Sequence, residues 1–147
     1  RAEFSKWIQG CRIKVNGDEV SWVKTAYPSN THDDLMAFLE VVFTYAGTLS
    51  LENEMQKIKM NEAKAGDVLI QGGSPGHAVI IVDEAVHPQS GKKVFLLAQS
   101  YMPAQDIHVL KNPMNPGISP WYDFKESGRL FITPEWKFTP DDFRTFE

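Results

Sequence analysis

Only one cysteine, Cys11, occurs among the 147 residues, so this chain can assemble neither an internal disulfide nor a thiolate metal cluster. Positive charge is also short. Lys and Arg total 15 against 19 Asp and Glu, a net charge of −4 with no basic cluster, which argues against a nucleic-acid partner. No apolar run approaches the roughly 18 residues of a membrane span, so no membrane crossing is expected within this chain. A charged-then-apolar leader is missing too, and the first residue is Arg1 rather than methionine. The opening Arg-Ala-Glu-Phe-Ser-Lys-Trp reads as the interior of a sheet region, so a longer protein is expected around this piece. What is present is a globular balance of 42% hydrophobic and 23% charged residues, enough for one domain with a buried core, 1–147.

Local patterns place the elements. Cys11 to Val15 alternates in polarity, Asn16-Gly17 suits a tight hairpin turn, and Glu19 to Val23 alternates again. Leu35, Phe38, Leu39, Val42, Phe43 and Ala46 follow the three-and-four spacing of one helix face, which predicts a helix over 31–46. Asn30 or Thr31 would cap it, Asp33 and Asp34 suit its positive end, and Gly47 would stop it. Ser50 is read as the cap of a shorter helix carrying Leu51, Met55 and Ile58. From Asp67 the period becomes two, predicting strands at 68–70, 77–82 and 94–98, with short ones at 107–110 and 129–132. Ala78, Ile80 and Val82 share one face of the second of these and Val79 and Ile81 the other, the pattern of a central strand covered on both sides. Six of the nine prolines fall in 101–140, so that stretch should wrap the surface, its aromatic residues packing onto the sheet. The fold class expected is α+β, an antiparallel β-sheet with helices packed on it.

One residue stands out chemically. His77 opens a strand directly after the loop Gly72-Gly-Ser-Pro-Gly76, so the sheet would hold its backbone while its ring sits at a strand mouth open to substrate. If strands 77–86 and 93–101 pair through a three-residue loop, positions summing to 178 face each other, which sets Tyr101 opposite His77 with Gln99 on the same face, while a five-residue loop would set Gln99 opposite instead. The Gln99 amide oxygen could then accept a ring N–H and leave the other nitrogen free to move a proton. Asp83 has the same parity but lies about 20 Å along the strand, at roughly 3.3 Å per residue, too far to orient the ring. Gly73 and Gly76 would either clear space beside a substrate or simply turn the chain. On spacing alone, a histidine ending a turn and a satisfied strand-end glutamine explain the same residues.

Resemblance adds to this. The run from Ala65 to Asp83, Ala-Gly-Asp-Val-Leu-Ile-Gln-Gly-Gly-Ser-Pro-Gly-His-Ala-Val-Ile-Ile-Val-Asp, resembles the signature of the NlpC-type and CHAP-type cell-wall amidases, which are papain-like cysteine hydrolases. The resemblance implies that His77 is the base and that Gln99, on the next strand, orients it. Longer strings, from Trp7 to Trp22, Phe43 to Leu51, Gln71 to Asp83 and Leu96 to His108, resemble domain of unknown function 4846, a bacterial envelope-associated family with no established activity. That second resemblance implies a secreted or envelope location. It also implies that this chain is a C-terminal half whose N-terminal partner half carries the nucleophilic cysteine at a helix start.

Cys11, in an alternating strand beside Arg12 and Ile13, lacks the helix N-terminus that lowers a thiol pKa and is read as structural. His77, His87, His108 and Asp83 show no compact metal spacing, and Gly72–Gly76 lacks the lysine of a phosphate loop, so neither metal nor cofactor is expected. Ser74 lies in the wrong pattern for a nucleophile elbow, and Ser100 should point to the opposite sheet face from His77. The function expected is a cysteine amidase or peptidase acting on cell-wall peptide or another amide, through His77 and Gln99, with Gly73, Gly76 and Tyr101 beside the substrate. This fragment alone would be inactive, and loss of its partner half would leave an apolar sheet face to be buried in a dimer. The alternative is a non-catalytic glycan- or protein-binding module on the same architecture.

Overall fold

The computed structural model describes residues 2–17 and 19–146. Its contacts cluster into two compact units, Arg1–Gly47 and Thr48–Glu147.

The first unit is a helix, a hairpin and a longer helix. Helix α1 (Phe4–Ile8) ends at Gly10, whose φ of +89° and close approach to the Ala26 carbonyl leave no room for a side chain. Strands β1 (Cys11–Asn16) and β2 (Glu19–Lys24) pair antiparallel from Cys11↔Lys24 to Asn16↔Glu19. Asn16 therefore belongs to the ladder rather than to the turn, and Gly17 supplies a positive φ of 62°; Asp18 lies outside the described residues. Helix α2 (His32–Tyr45) starts at a reciprocal capping box in which the Thr31 hydroxyl accepts from Asp34 N and the Asp34 carboxylate accepts from Thr31 N. Hydrogen bonds from Ser29 and then Thr31, with Arg12 nearby, hold the Asp34 carboxyl below the usual carboxylate range. The apolar stripe of α2 is buried only at Phe38, which packs on Phe4 and Trp7. Phe43, on the same stripe, is 76% exposed.

The second unit holds the main sheet. Helix α3 (Thr48–Glu54) begins two residues before Ser50, which lies within the helix instead of capping it. Then come β3 (Gln56–Lys57), β4 (Val68–Gln71), β5 (His77–Val86), β6 (Lys93–Gln99), β7 (His108–Val109) and β8 (Trp121–Tyr122). A short helix α4 (Phe124–Ser127) follows, then β9 (Phe131–Ile132), β10 (Lys137–Phe138) and β11 (Phe143–Thr145). The sheet order is β3-β11-β4-β5-β6-β7 with β8 also on β6, and every pairing is antiparallel. The expected α+β class with an antiparallel sheet is what the chain adopts, and β5 is a central strand.

Period-two alternation sorts two cores onto the two faces. Leu69, Val79, Ile81, Phe95 and Leu97 join Phe124, Phe131, Phe138 and Phe143 on one side. Val68, Ile70 and Met55 pack on the other, against Leu51, Ala78 and Ile80. Val82 breaks the alternation at 42% exposure, because β5 carries a bulge there. The bulge has a cause in the turn. His87 N donates to Lys92 O around a four-residue loop, 88–91, so pairs near the turn sum to 179, as in Val86↔Lys93. The extra residue at Val82 brings the sum to 178 at Ile81↔Leu97 and Ile80↔Ala98. The register expected near His77 is thus reached, through an even loop and a bulge rather than a three-residue loop.

The proline-rich segment is mostly irregular, as expected, and its rings close the core. Phe124 stacks on Phe95 with centroids 4.5 Å apart. Asp123 caps α4 through the amides of Lys125 and Glu126 and pairs with Lys92 at 2.9 Å. Burial pushes its carboxyl up, but the Lys92 ammonium and those amides outweigh it and hold the group below the usual range.

Candidate functional site

Three short-range devices aim the groups around His77. Gly66, at φ +94°, and the Asp67 carboxylate, which accepts from Lys64 N at 2.9 Å, close the turn that launches β4. The loop 72–76 then returns the chain into β5. It is pinned on α3: Gly72 N donates to Glu52 Oε2 at 2.8 Å, and Arg144 holds the other Glu52 oxygen at 3.0 Å. A side chain at Gly76 would strike the Thr48 hydroxyl and the Gln71 carbonyl, so this glycine permits close packing of the loop. Gly73, at φ +151°, turns the loop and is exposed; Gly76 also lines the cleft described next, whereas Gly73 is not among its lining residues.

His77 is 8% exposed and Gln99 3%. They meet: His77 Nε2 lies 2.6 Å from Gln99 Oε1. The other face of the Gln99 amide donates from Nε2 to Glu135 Oε2 at 2.7 Å. An ionised carboxylate only accepts, so the amide nitrogen faces Glu135, the amide oxygen faces His77, and His77 Nε2 must be the ring N–H that donates. Nδ1 is then the nitrogen with a free lone pair. Among the described residues no hydrogen bond reaches Nδ1, and the fully enclosed unpaired polar atoms are Trp7 Nε1 and Glu84 Oε2 instead.

Aromatic rings surround the imidazole. Tyr101 meets it edge-on with centroids 5.3 Å apart, Trp136 lies at 5.3 Å, and Phe138 stacks at 6.1 Å. Trp136 is itself held, because its Nε1 donates to Gln71 Oε1 at 2.9 Å while Gln71 Nε2 donates to Asp142 Oδ2 at 2.8 Å. His77 lines a cleft of about 440 Å³ together with Pro75, Gly76, Ser100, Tyr101, Met102 and Trp136. That volume suits a small ligand or a short stretch of a polymer.

Tyr101, Gly76, Gln99 and His77 are thus brought together, and Gly73 stands off. Ser100 differs from its expected side. The alternating strand ends at Gln99, and Ser100, past that end, is exposed and lines the cleft. Cys11 opens β1 in the first unit, past the C-terminal end of α1 rather than at a helix N-terminus. His87 is used inside its own loop, its Nδ1 accepting from Ser90 N at 3.2 Å.

Sequence reasoning missed Glu135 and Gln71 as site residues. Gln71, a polar residue ending an apolar strand and paired with His77, left a signal. Glu135 left none, standing 36 positions from Gln99 on the tip of the β9–β10 hairpin.

These features define an α+β domain with a hydrogen-bonded histidine–amide–carboxylate chain beside a cleft. The chain belongs to the family described as Domain of unknown function (4846), whose model matches residues 1–145. No curated protein matches it, and no solved structure does. A match of that extent gives no support to the expectation that the chain is only a C-terminal half of the family's domain, and nothing in the comparisons supports an NlpC-type or CHAP-type signature.

Proposed function

We propose that the second unit is the base-bearing part of an amide hydrolase of papain-like logic. His77 Nδ1 takes the proton of a nucleophile, Gln99 holds the ring, and the amide substrate lies in the cleft between Tyr101 and Trp136. The observation that carries this reading is the 2.6 Å bond between His77 Nε2 and Gln99 Oε1, which leaves Nδ1 as the acceptor on a residue that lines a cleft. The second unit contains no cysteine, so a thiol nucleophile for this reaction comes from outside it. The substrate class, cell-wall peptide, rests on the resemblance of the Ala65 to Asp83 run to the cell-wall amidases alone.

The test is release of new amine ends from purified cell wall by the intact protein. His77→Ala should lower the rate by about 10²–10⁴-fold, the usual worth of a positioned general base. An unchanged rate in that variant removes the base assignment.

A second reading has one observation in its favour. Three aromatic rings pack on the imidazole and Met102 joins the cleft wall, as a binding module for glycan or peptide would have it. That reading expects this chain to bind cell wall while the intact protein releases nothing.

A further inference from the structure

A buried primary amide is ambiguous by shape. Its oxygen and nitrogen occupy equivalent positions, and a half-turn of the Gln99 side-chain amide exchanges an acceptor for a donor at His77. In one orientation His77 Nε2 carries the proton and Nδ1 can accept another. In the other, Nε2 must accept, the proton moves to Nδ1, and Nδ1 becomes a donor unable to act as a base. Something outside the pair has to choose.

We propose that Glu135 is the positioning residue that makes this choice, its carboxylate locking the Gln99 amide and thereby holding His77 in the Nε2–H tautomer. This rests on the reading of His77 as a base. The carboxylate accepts from Gln99 Nε2 at 2.7 Å, and a flipped amide would set oxygen against oxygen there. The Glu135 side chain reaches solvent, so its charge is screened; the lock comes from its being an acceptor only, which screening does not alter.

The residue is also held in place. Thr133 N donates to Trp136 O at 2.9 Å and Trp136 N donates to Thr133 Oγ1 at 3.1 Å, closing the hairpin tip around Pro134 and Glu135. Trp136 then anchors that tip to the sheet through Gln71. One rigid tip therefore brings both the orienting carboxylate and a wall of the cleft.

The experiment reads the tautomer directly, by long-range ring ¹H–¹⁵N correlation on the labelled chain near neutral pH. The four histidines are separated by the spectrum of His77→Ala. The wild-type chain should show His77 as a single Nε2–H tautomer. Glu135→Gln and Glu135→Ala, at an exposed position that leaves the amide fingerprint intact, should lose that single pattern, because either orientation of Gln99 then finds a tolerable partner. In the intact protein, Glu135→Gln should lower kcat with KM unchanged. A wild-type His77 protonated at Nδ1, or an unaltered Nε2–H pattern in both Glu135 variants, overturns the proposal. Failure of the hydrolase reading shows separately, as cell-wall release that is absent or indifferent to His77→Ala, and the tautomer spectra still decide the role of Glu135.

Discussion

The two compact units use similar local patterns and reach different degrees of burial. In the first, a capped amphipathic helix and a hairpin form as their spacing dictates, yet Trp7 and Phe38 are the only buried large apolar side chains among its described residues, and Tyr27 is 93% exposed. In the second, strands that range from two residues to the ten of β5 enclose Phe124, Phe131, Phe138 and Phe143 almost completely. Periodicity says which residues could share a face. Whether that face is covered depends on partners far along the chain, such as β11 returning to pair with β4.

The sharpest test of this contrast is a matched pair of truncations. Phe143→Ala should cost about 3–5 kcal/mol by denaturant melting, as for a filled core site left as a cavity. Phe43→Ala on α2 should stay within about 0.5 kcal/mol. Equal costs would break the distinction between the units.

Next in size is a polar core contact. Gln71→Leu leaves Trp136 Nε1 without its acceptor and takes a donor from the Asp142 carboxylate, for a loss of about 1–3 kcal/mol. The Trp136 fluorescence environment should change with it. An unperturbed spectrum and midpoint would mean that Trp136 is held by packing alone.

In the first unit the largest single polar effect should come from the α2 cap, where Thr31→Ala costs about 1 kcal/mol. Hydrogen exchange should show that loss confined to the first turn of the helix, whereas the amides of β5 and β6 stay the slowest in the chain.

Acid gives the finest comparison, because both units have carboxyls held low, Asp34 in the first and Asp123 and Asp141 in the second. Asp34 and Asp123 both have folded values below the ordinary one, so each contributes stability that is present above about pH 4 and lost as pH falls through its folded value. Midpoints should therefore be level with respect to these groups above about pH 5 and drop below pH 4, with Asp34→Asn and Asp123→Asn each flattening the drop. An acid limb that neither variant changes would count against both attributions.

Much of this fold could be read from the linear chain. Alternation and three-and-four spacing located the first hairpin, α2 and the β4–β5–β6 core strands, since backbone geometry maps sequence spacing directly onto faces. The misplaced points have local causes: Ser50 fell inside α3 because Thr48 already begins it, and Asn16 joined the ladder because the turn starts one residue later. The site was legible in half. Parity alone set His77, Gln99 and Tyr101 on one face, although the real path to that register, an even loop corrected by the bulge at Val82, was not foreseeable from turn residues.

Glu135, Gln71 and Asp142 are a different matter. Nothing in the spacing of Gln99 and Glu135 announces that they touch, nor that Trp136 is tied to a glutamine 65 positions earlier. Regular repeats record the direction a side chain takes from its own backbone, and that is a local property. The proton placement on His77 depends on which atom of an amide meets a carboxylate, and that meeting is made by a hairpin folding back over the sheet. The candidate base was therefore visible in the chain itself, while the state in which that base is held came from packing.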